Sequence, residues 1–111
     1  MEHRMKLWND PFNTIKYDKK DIELRLNDAK RQMINVGDTI IFTNNLTKEE
    51  IRCEVVNLHH FDNFEELYKN FDKRRLGYEE NEEASYLDME KFYLKDEINK
   101  FGVLGIEIRK I

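Results

Sequence analysis

Between Thr39 and Leu58 two apolar stretches flank a polar turn, and no other segment restricts the fold so tightly. Thr39-Ile40-Ile41-Phe42-Thr43 is β-branched and aromatic, the composition of a pleated, half-buried surface. Asn44-Asn45 turns the chain, and Glu50 to Leu58 returns as a long strand. Its inward set reads Ile51, Cys53, Val55 and Leu58, with a bulge near Val56. Two strands so joined pair as a hairpin, so the fold must contain an antiparallel sheet with one face on a core.

Other segments extend that sheet. Asp21-Ile22-Glu23-Leu24-Arg25-Leu26 alternates charged and apolar residues, which predicts a strand with Ile22, Leu24 and Leu26 inward and Asp21, Glu23 and Arg25 opposite. Lys6-Leu7-Trp8 is a short strand-like stretch, and Val103 to Arg109 returns to strand alternation after Gly102. Helical spacing interrupts the strands. Asp10 as N-cap with Pro11 at the first helical position predicts a short helix with Phe12 and Ile15 on one face. Phe64, Leu67, Tyr68 and Phe71 predict another, capped by Asp62 or Asn63; Lys73 to Tyr78 leaves it as a loop. Ser85 and Asp88 open a third that carries Leu87, Phe92, Tyr93 and Ile98 on one face. One proline and four glycines leave few breaks, with no repeat or linker, so residues 1–111 are expected to form one domain. The fold expected is α+β and β-dominated: a small mixed β-barrel of five to six strands with two to three flanking helices.

Charge and composition narrow the function. Net charge is −4, which disfavours a generic grip on duplex DNA. A single cysteine, Cys53, excludes an internal disulfide and any cysteine-cluster zinc site. No apolar run reaches the roughly 20 residues of a membrane span, and the first residues lack the apolar core of a secretion signal. A cytoplasmic location without membrane association is expected. No phosphate-loop, dinucleotide, zinc-protease or serine-hydrolase motif is present.

Three weaker constellations remain. Lys19, Asp21, Glu23 and Arg25 share one strand face, with Lys20 at its entrance. A lysine beside a carboxylate and an arginine suits an anionic or amide-bearing ligand, and a desolvated lysine can act as a general base. The same charges also suit a solvated outer face. Arg74, Arg75 and Tyr78 resemble a small patch for phosphate and base stacking, although Glu79 to Glu83 opposes it and basic residues also serve a helix C-terminus. His59 and His60 adjoin on a strand and point to opposite faces, so they do not ligate one ion; no metal and no cofactor are expected. Cys53 is read as inert core, and Trp8 and Phe12 as core anchors.

Taken in order, these residues resemble the ASCH domains of the PUA-like superfamily over nearly the whole chain. Phe12-Asn13-Thr14-Ile15-Lys16 is similar to that family's N-terminal helix, and Lys20-Asp21-Ile22-Glu23-Leu24-Arg25-Leu26 to its K-x-x-E-x-R strand. Val36-Gly37-Asp38-Thr39-Ile40-Ile41-Phe42 resembles its G-D-x-I-x-F strand. Val55 to Phe61 with Asn63 to Leu67, and Gly102 to Ile108, resemble its closing strands and the helix between them. The resemblance implies a PUA-like β-barrel with a cleft flanked by helices and an association with RNA. One branch of the family hydrolyses the amide of N4-acetylcytidine with a lysine, a threonine and a glutamate. Its lysine falls on Lys20 and its arginine on Arg25; Glu23 stands where that branch has threonine, and its glutamate falls among Glu79 to Glu83.

A threonine hydroxyl can be a nucleophile or hold a water beside an amide carbonyl, and a carboxylate in its place would not play the same part. As a base it activates water, but it also pairs with Lys20 and holds the lysine charged. The set better suits reading a base edge, with Glu23 accepting from an amine and Lys20 and Arg25 meeting carbonyl or phosphate oxygens. The expectation is therefore a domain that binds RNA or a nucleoside-like small molecule through Lys20, Glu23 and Arg25, with Arg74, Arg75 and Tyr78 at the rim. From Thr14 to Asn35 the chain carries six basic and four acidic residues, which favours RNA over duplex DNA. Two alternatives stand beside it. One is an amidohydrolase acting on an N-acylated nucleoside, with Lys20 and Glu23 as catalytic groups; the other is a protein-interaction domain with no nucleic-acid ligand.

Overall fold

The strongest strand former, Thr39–Asn44, lies near the middle of a five-stranded sheet in the computed structural model, which describes residues 1–111. The strands are β1 (Glu2–Leu7), β2 (Ile22–Leu26), β3 (Thr39–Asn44), β4 (Glu50–Phe61) and β5 (Val103–Lys110), in the spatial order β1-β3-β4-β5-β2. Only β1 and β3 run parallel; the other three pairings are antiparallel. The sheet curls into a half-barrel, α+β and strand-dominated as expected. The hairpin forms as read, and the β4–β5 register slips between Val55 and Asn57, where the bulge was placed.

Both faces of this sheet are covered. One carries Met5, Leu7, Ile40, Phe42, Cys53, Val55, Leu104 and Ile106 against Phe12 and Ile15 of helix α1 (Asn9–Tyr17). The other carries Ile22, Leu24, Leu26 and Val103. It packs on Phe64 and Leu67 of α2 (Phe64–Lys69), Leu76 of α3 (Lys73–Leu76) and Ile98 of α4 (Lys95–Phe101). Strand β5 is accordingly a near-continuous apolar run, Val103-Leu104-Gly105-Ile106, buried on both sides. No helix is long and apolar enough to cross a membrane.

The structure corrects five local expectations. Helix α1 starts at Asn9, so Pro11 is its third residue; Asn9 Oδ1 accepts instead from the buried Asn44 side chain at 3.0 Å. Lys73 to Leu76 is a single helical turn, because Asp72 accepts from the Arg74 amide at 2.8 Å and Gly77 closes it at φ +106°. The long helix expected after Ser85 is two pieces, a 3-10 turn at Tyr86–Lys91 and α4, which leaves Leu87 and Phe92 exposed. Asp88 gives its carboxylate to the Tyr78 hydroxyl rather than to a capping box. Trp8 does not anchor the core; it is 65% exposed, since Leu7 before it takes the inward position. Cys53 is fully buried as expected, and burial raises its thiol pKa to about 11.

Asp38, at the turn before β3, ties β1 to the hairpin. Its carboxylate meets His3 Nε2 at 2.8 Å and the Asn35 amide at 2.9 Å, and these contacts lower its pKa from 3.8 to about 2. A carboxylate depressed in the folded state contributes stability above the unfolded value and loses it as pH falls through the folded one. Acid denaturation of the protein is therefore expected to have a component between pH 3.8 and about 2 that Asp38→Asn removes. Unfolding midpoints measured across that range check this.

Candidate functional site

Strand β2 lies at one edge of the sheet and β1 at the other. Helix α1 lies between them in the chain, and a cleft of about 960 Å³ opens where the half-barrel fails to close. Arg25 bridges the gap, donating through Nη2 to the Lys6 carbonyl at 3.1 Å. The floor of the cleft follows from the register. Glu23 lies opposite Ile106 and Arg25 opposite Leu104, and cross-strand partners point to the same side. Both charged residues therefore face into the curl of the half-barrel while Ile22, Leu24 and Leu26 face the helices. The solvated outer face that the alternation also allowed is not what forms.

Lys20, Glu23 and Arg25 lie together, and all three are withdrawn from water: their side chains are 9%, 6% and 16% exposed. Glu23 sits in the middle. Its Oε2 accepts from Arg25 Nε at 2.9 Å and lies 2.8 Å from Nη2. Its Oε1 lies 3.6 Å from Lys20 Nζ, beyond hydrogen-bond length, and accepts no hydrogen bond. Lys20 Nζ donates to the Leu76 carbonyl at 3.2 Å. Burial lowers the Lys20 pKa, and Glu23 opposes that shift without reversing it. The expectation that Glu23 holds this lysine fully charged thus meets a larger desolvation effect. Burial also works against the Arg25 charge, but there Glu23 and Tyr93 outweigh it and the pKa rises.

Gly77 fixes Lys20 from above. A Cβ at Gly77 would lie 3.0 Å from Lys20 Cδ, and the positive φ already disfavours any side chain there. Gly37 has φ +94° but open space around it, so it isolates the backbone effect. Gly77→Ala and Gly37→Ala are each expected to lose about 1–2 kcal/mol in urea denaturation through left-handed strain. Only Gly77→Ala is expected to displace Lys20 and weaken ligand binding.

Aromatic side chains wall the cleft: Trp8, Tyr17, Tyr68, Tyr78, Phe92 and Tyr93. Trp8, Tyr17 and Phe92 are exposed at its mouth. Tyr78 belongs to the wall but its hydroxyl is engaged, 2.9 Å from Tyr68 and 2.7 Å from Asp88. Burial and these partners push its pKa up. Of the acidic run, Glu79 and Glu82 reach the cleft, joined by Asp10 and Asp18. Arg74 and Arg75 are not brought to it. Arg74 pairs with Asp18 at 2.7 Å, and Arg75 with Asp21 at 2.8 Å and Glu107 at 3.4 Å, its guanidinium over the Phe71 ring. His59 meets Glu107 at 2.9 Å and His60 is exposed, while no three potential metal-ligating side chains cluster anywhere.

Sequence reasoning missed Trp8, Phe92, Tyr93, Lys6 and Gly77 as parts of this site. For Trp8 the parity was available: Met5 and Leu7 take the buried positions of β1, so its neighbour points away. Nothing local marks Tyr93, which reaches the cleft because it stacks on Phe64 at 5.8 Å.

The open seam of the half-barrel thus forms a cleft with a polar floor and aromatic walls, beside helices, as the resemblance to PUA-like domains implied. The family model for the ASCH domain matches residues 5–111, and the chain belongs to that family. Among solved structures it is similar to the crystal structure of hypothetical protein PH0355, at 30% identity and a TM-score of 0.80, with all of both chains covered. It is also similar to the solution NMR structure of protein PF0455 from Pyrococcus furiosus, at 29% identity and a TM-score of 0.73, covering 100% of this chain and 98% of that one. No curated protein sequence matches the chain.

Proposed function

We propose that this ASCH domain binds the base of a single-stranded RNA or nucleoside-like ligand in the cleft on β2, as a cytoplasmic protein. The observation that carries the reading is the withdrawn Lys20–Glu23–Arg25 floor, with an acceptor oxygen that has no hydrogen bond within the chain. That oxygen is ion-paired with Lys20 Nζ at 3.6 Å and keeps lone-pair capacity for a donor from a base. The exposed rings of Trp8, Tyr17 and Phe92 at the mouth offer faces on which bases stack. The rim argues against tracking a phosphate backbone. Asp10, Glu79 and Glu82 line it, with Lys6 the one exposed lysine among the lining residues. Affinity should come from the base more than from phosphates, and neither duplex DNA nor a membrane suits this surface.

Trp8 is the only tryptophan, so its fluorescence reports the cleft directly. Titration with a mixed-sequence single-stranded RNA is expected to change that fluorescence saturably. With one phosphate met by Lys6, the log–log salt dependence should have a slope of about −0.7. A steep slope, or binding that leaves Trp8 unchanged, would place the ligand elsewhere.

A second reading rests on Lys20 alone. Burial depresses its pKa, the direction a general base needs, and the amidohydrolase branch of the family carries a lysine there. Incubation with N4-acetylcytidine tests it: release of cytidine that disappears in Lys20→Ala supports an enzyme, and no release at high protein concentration removes that substrate.

A further inference from the structure

We infer that the cleft floor selects a uracil-type base by its imide edge, a deepening that rests on the base-binding reading above. Donors and acceptors are arranged in order across the floor. Lys20 Nζ spends one proton on the Leu76 carbonyl and keeps others to donate. Glu23 Oε1 is an acceptor with no hydrogen bond. Arg25 engages Nε with Glu23, and Nη2 with Glu23 and the Lys6 carbonyl, which leaves Nη1 as a donor without a partner. Because Glu23 lies between the two cations, the floor presents donor, acceptor, donor in that order. The edge that complements it is acceptor, donor, acceptor: two carbonyl oxygens flanking a ring N–H. Uracil offers this through O4, N3–H and O2.

The other bases fail at identified atoms. Cytosine turns the N3 lone pair toward the Glu23 carboxylate and its amine toward a cation. Adenine pairs an amine with a ring lone pair and has no central N–H on that edge. Guanine is the nearest competitor, because its N1–H and amine suit a carboxylate with both oxygens free. Here Oε2 is already taken by Arg25, at 2.9 and 2.8 Å, so the guanine amine would meet the guanidinium donor to donor. Discrimination of this kind arises because a mismatched edge leaves desolvated groups opposed.

The test uses the full chain and the 5′-monophosphates of uridine, cytidine, guanosine and 3-methyluridine, with dissociation constants from amide chemical-shift titrations. Uridine monophosphate is expected to bind at least about tenfold tighter than the cytidine and guanosine forms, a modest figure for one well-matched base edge. Methylation at N3 is expected to abolish that advantage, since it removes the proton that Glu23 accepts. Equal binding of uridine and 3-methyluridine, or tighter binding of cytidine or guanosine, overturns the inference and leaves the base-binding reading intact. The same holds if RNA changes Trp8 fluorescence while none of the four nucleotides competes with it. Absence of binding by nucleotides and RNA alike overturns both. Every arm uses the unmodified protein, so none depends on a variant that fails to fold.

Discussion

Glu23→Ala is expected to be the most damaging single change in the site, lowering stability by about 3–5 kcal/mol. The reason is charge balance inside the half-barrel. Glu23 is the only anion in direct contact with Lys20 and Arg25, and their side chains are 9% and 16% exposed. Its removal leaves two buried cations facing each other, and the lost interactions include the charged hydrogen bond from Arg25 Nε. An ordinary exposed carboxylate on a strand would cost less than 1 kcal/mol on removal, which is what a solvated β2 face predicts. Urea denaturation of Glu23→Ala and of the double variant Glu23→Ala/Lys20→Met separates the two. The second substitution removes the surplus cation and should restore part of the loss.

Lys20→Met is expected to do the opposite: abolish ligand binding while leaving stability unchanged or raised. With Lys20 gone, Glu23 and Arg25 remain as a neutral, hydrogen-bonded pair, and a methionine of similar length occupies the space beneath Gly77. The lysine itself is a burden. Its pKa is lowered by burial below the 10.5 of an unfolded lysine, so the unfolded chain binds more protons in between. Stability should therefore rise with pH toward 10.5 in the native protein, and that rise should be missing in Lys20→Met. Chemical denaturation from neutral to alkaline pH measures it. A site that keeps a destabilising charge is the expected signature of function rather than of folding.

Much of the sheet was legible because it rests on local periodicity. Ile40-Ile41-Phe42, the bulge at Val56 and the alternation of β2 are properties of short segments, and all three appear where they were expected. The residues of the floor were legible for the same reason, since Lys20, Glu23 and Arg25 are close in the chain. Their burial was not. Alternation gives one apolar face to β2 and says nothing of what covers the other. Glu23 is enclosed only because β5 brings Ile106 opposite it and the β1 edge closes toward Arg25. The parallel pairing of β1 with β3 likewise depends on how α1 carries the chain across the sheet. Helix α3 escaped notice because four residues hold too little periodicity; its capping pair Asp72 and Gly77 was the available sign. Arg74 and Arg75 were grouped with Tyr78 by adjacency, but one helical turn points them to Asp18 and to Asp21 with Glu107.

Amide chemical-shift mapping with a mixed-sequence single-stranded RNA tests the account most directly. Saturable shifts are expected at residues 20–25, Trp8, Gly77 and Tyr93, all lost in a folded Lys20→Met variant. Saturable shifts around His59, Arg75 and Glu107, with the cleft silent and Lys20→Met binding normally, would contradict it.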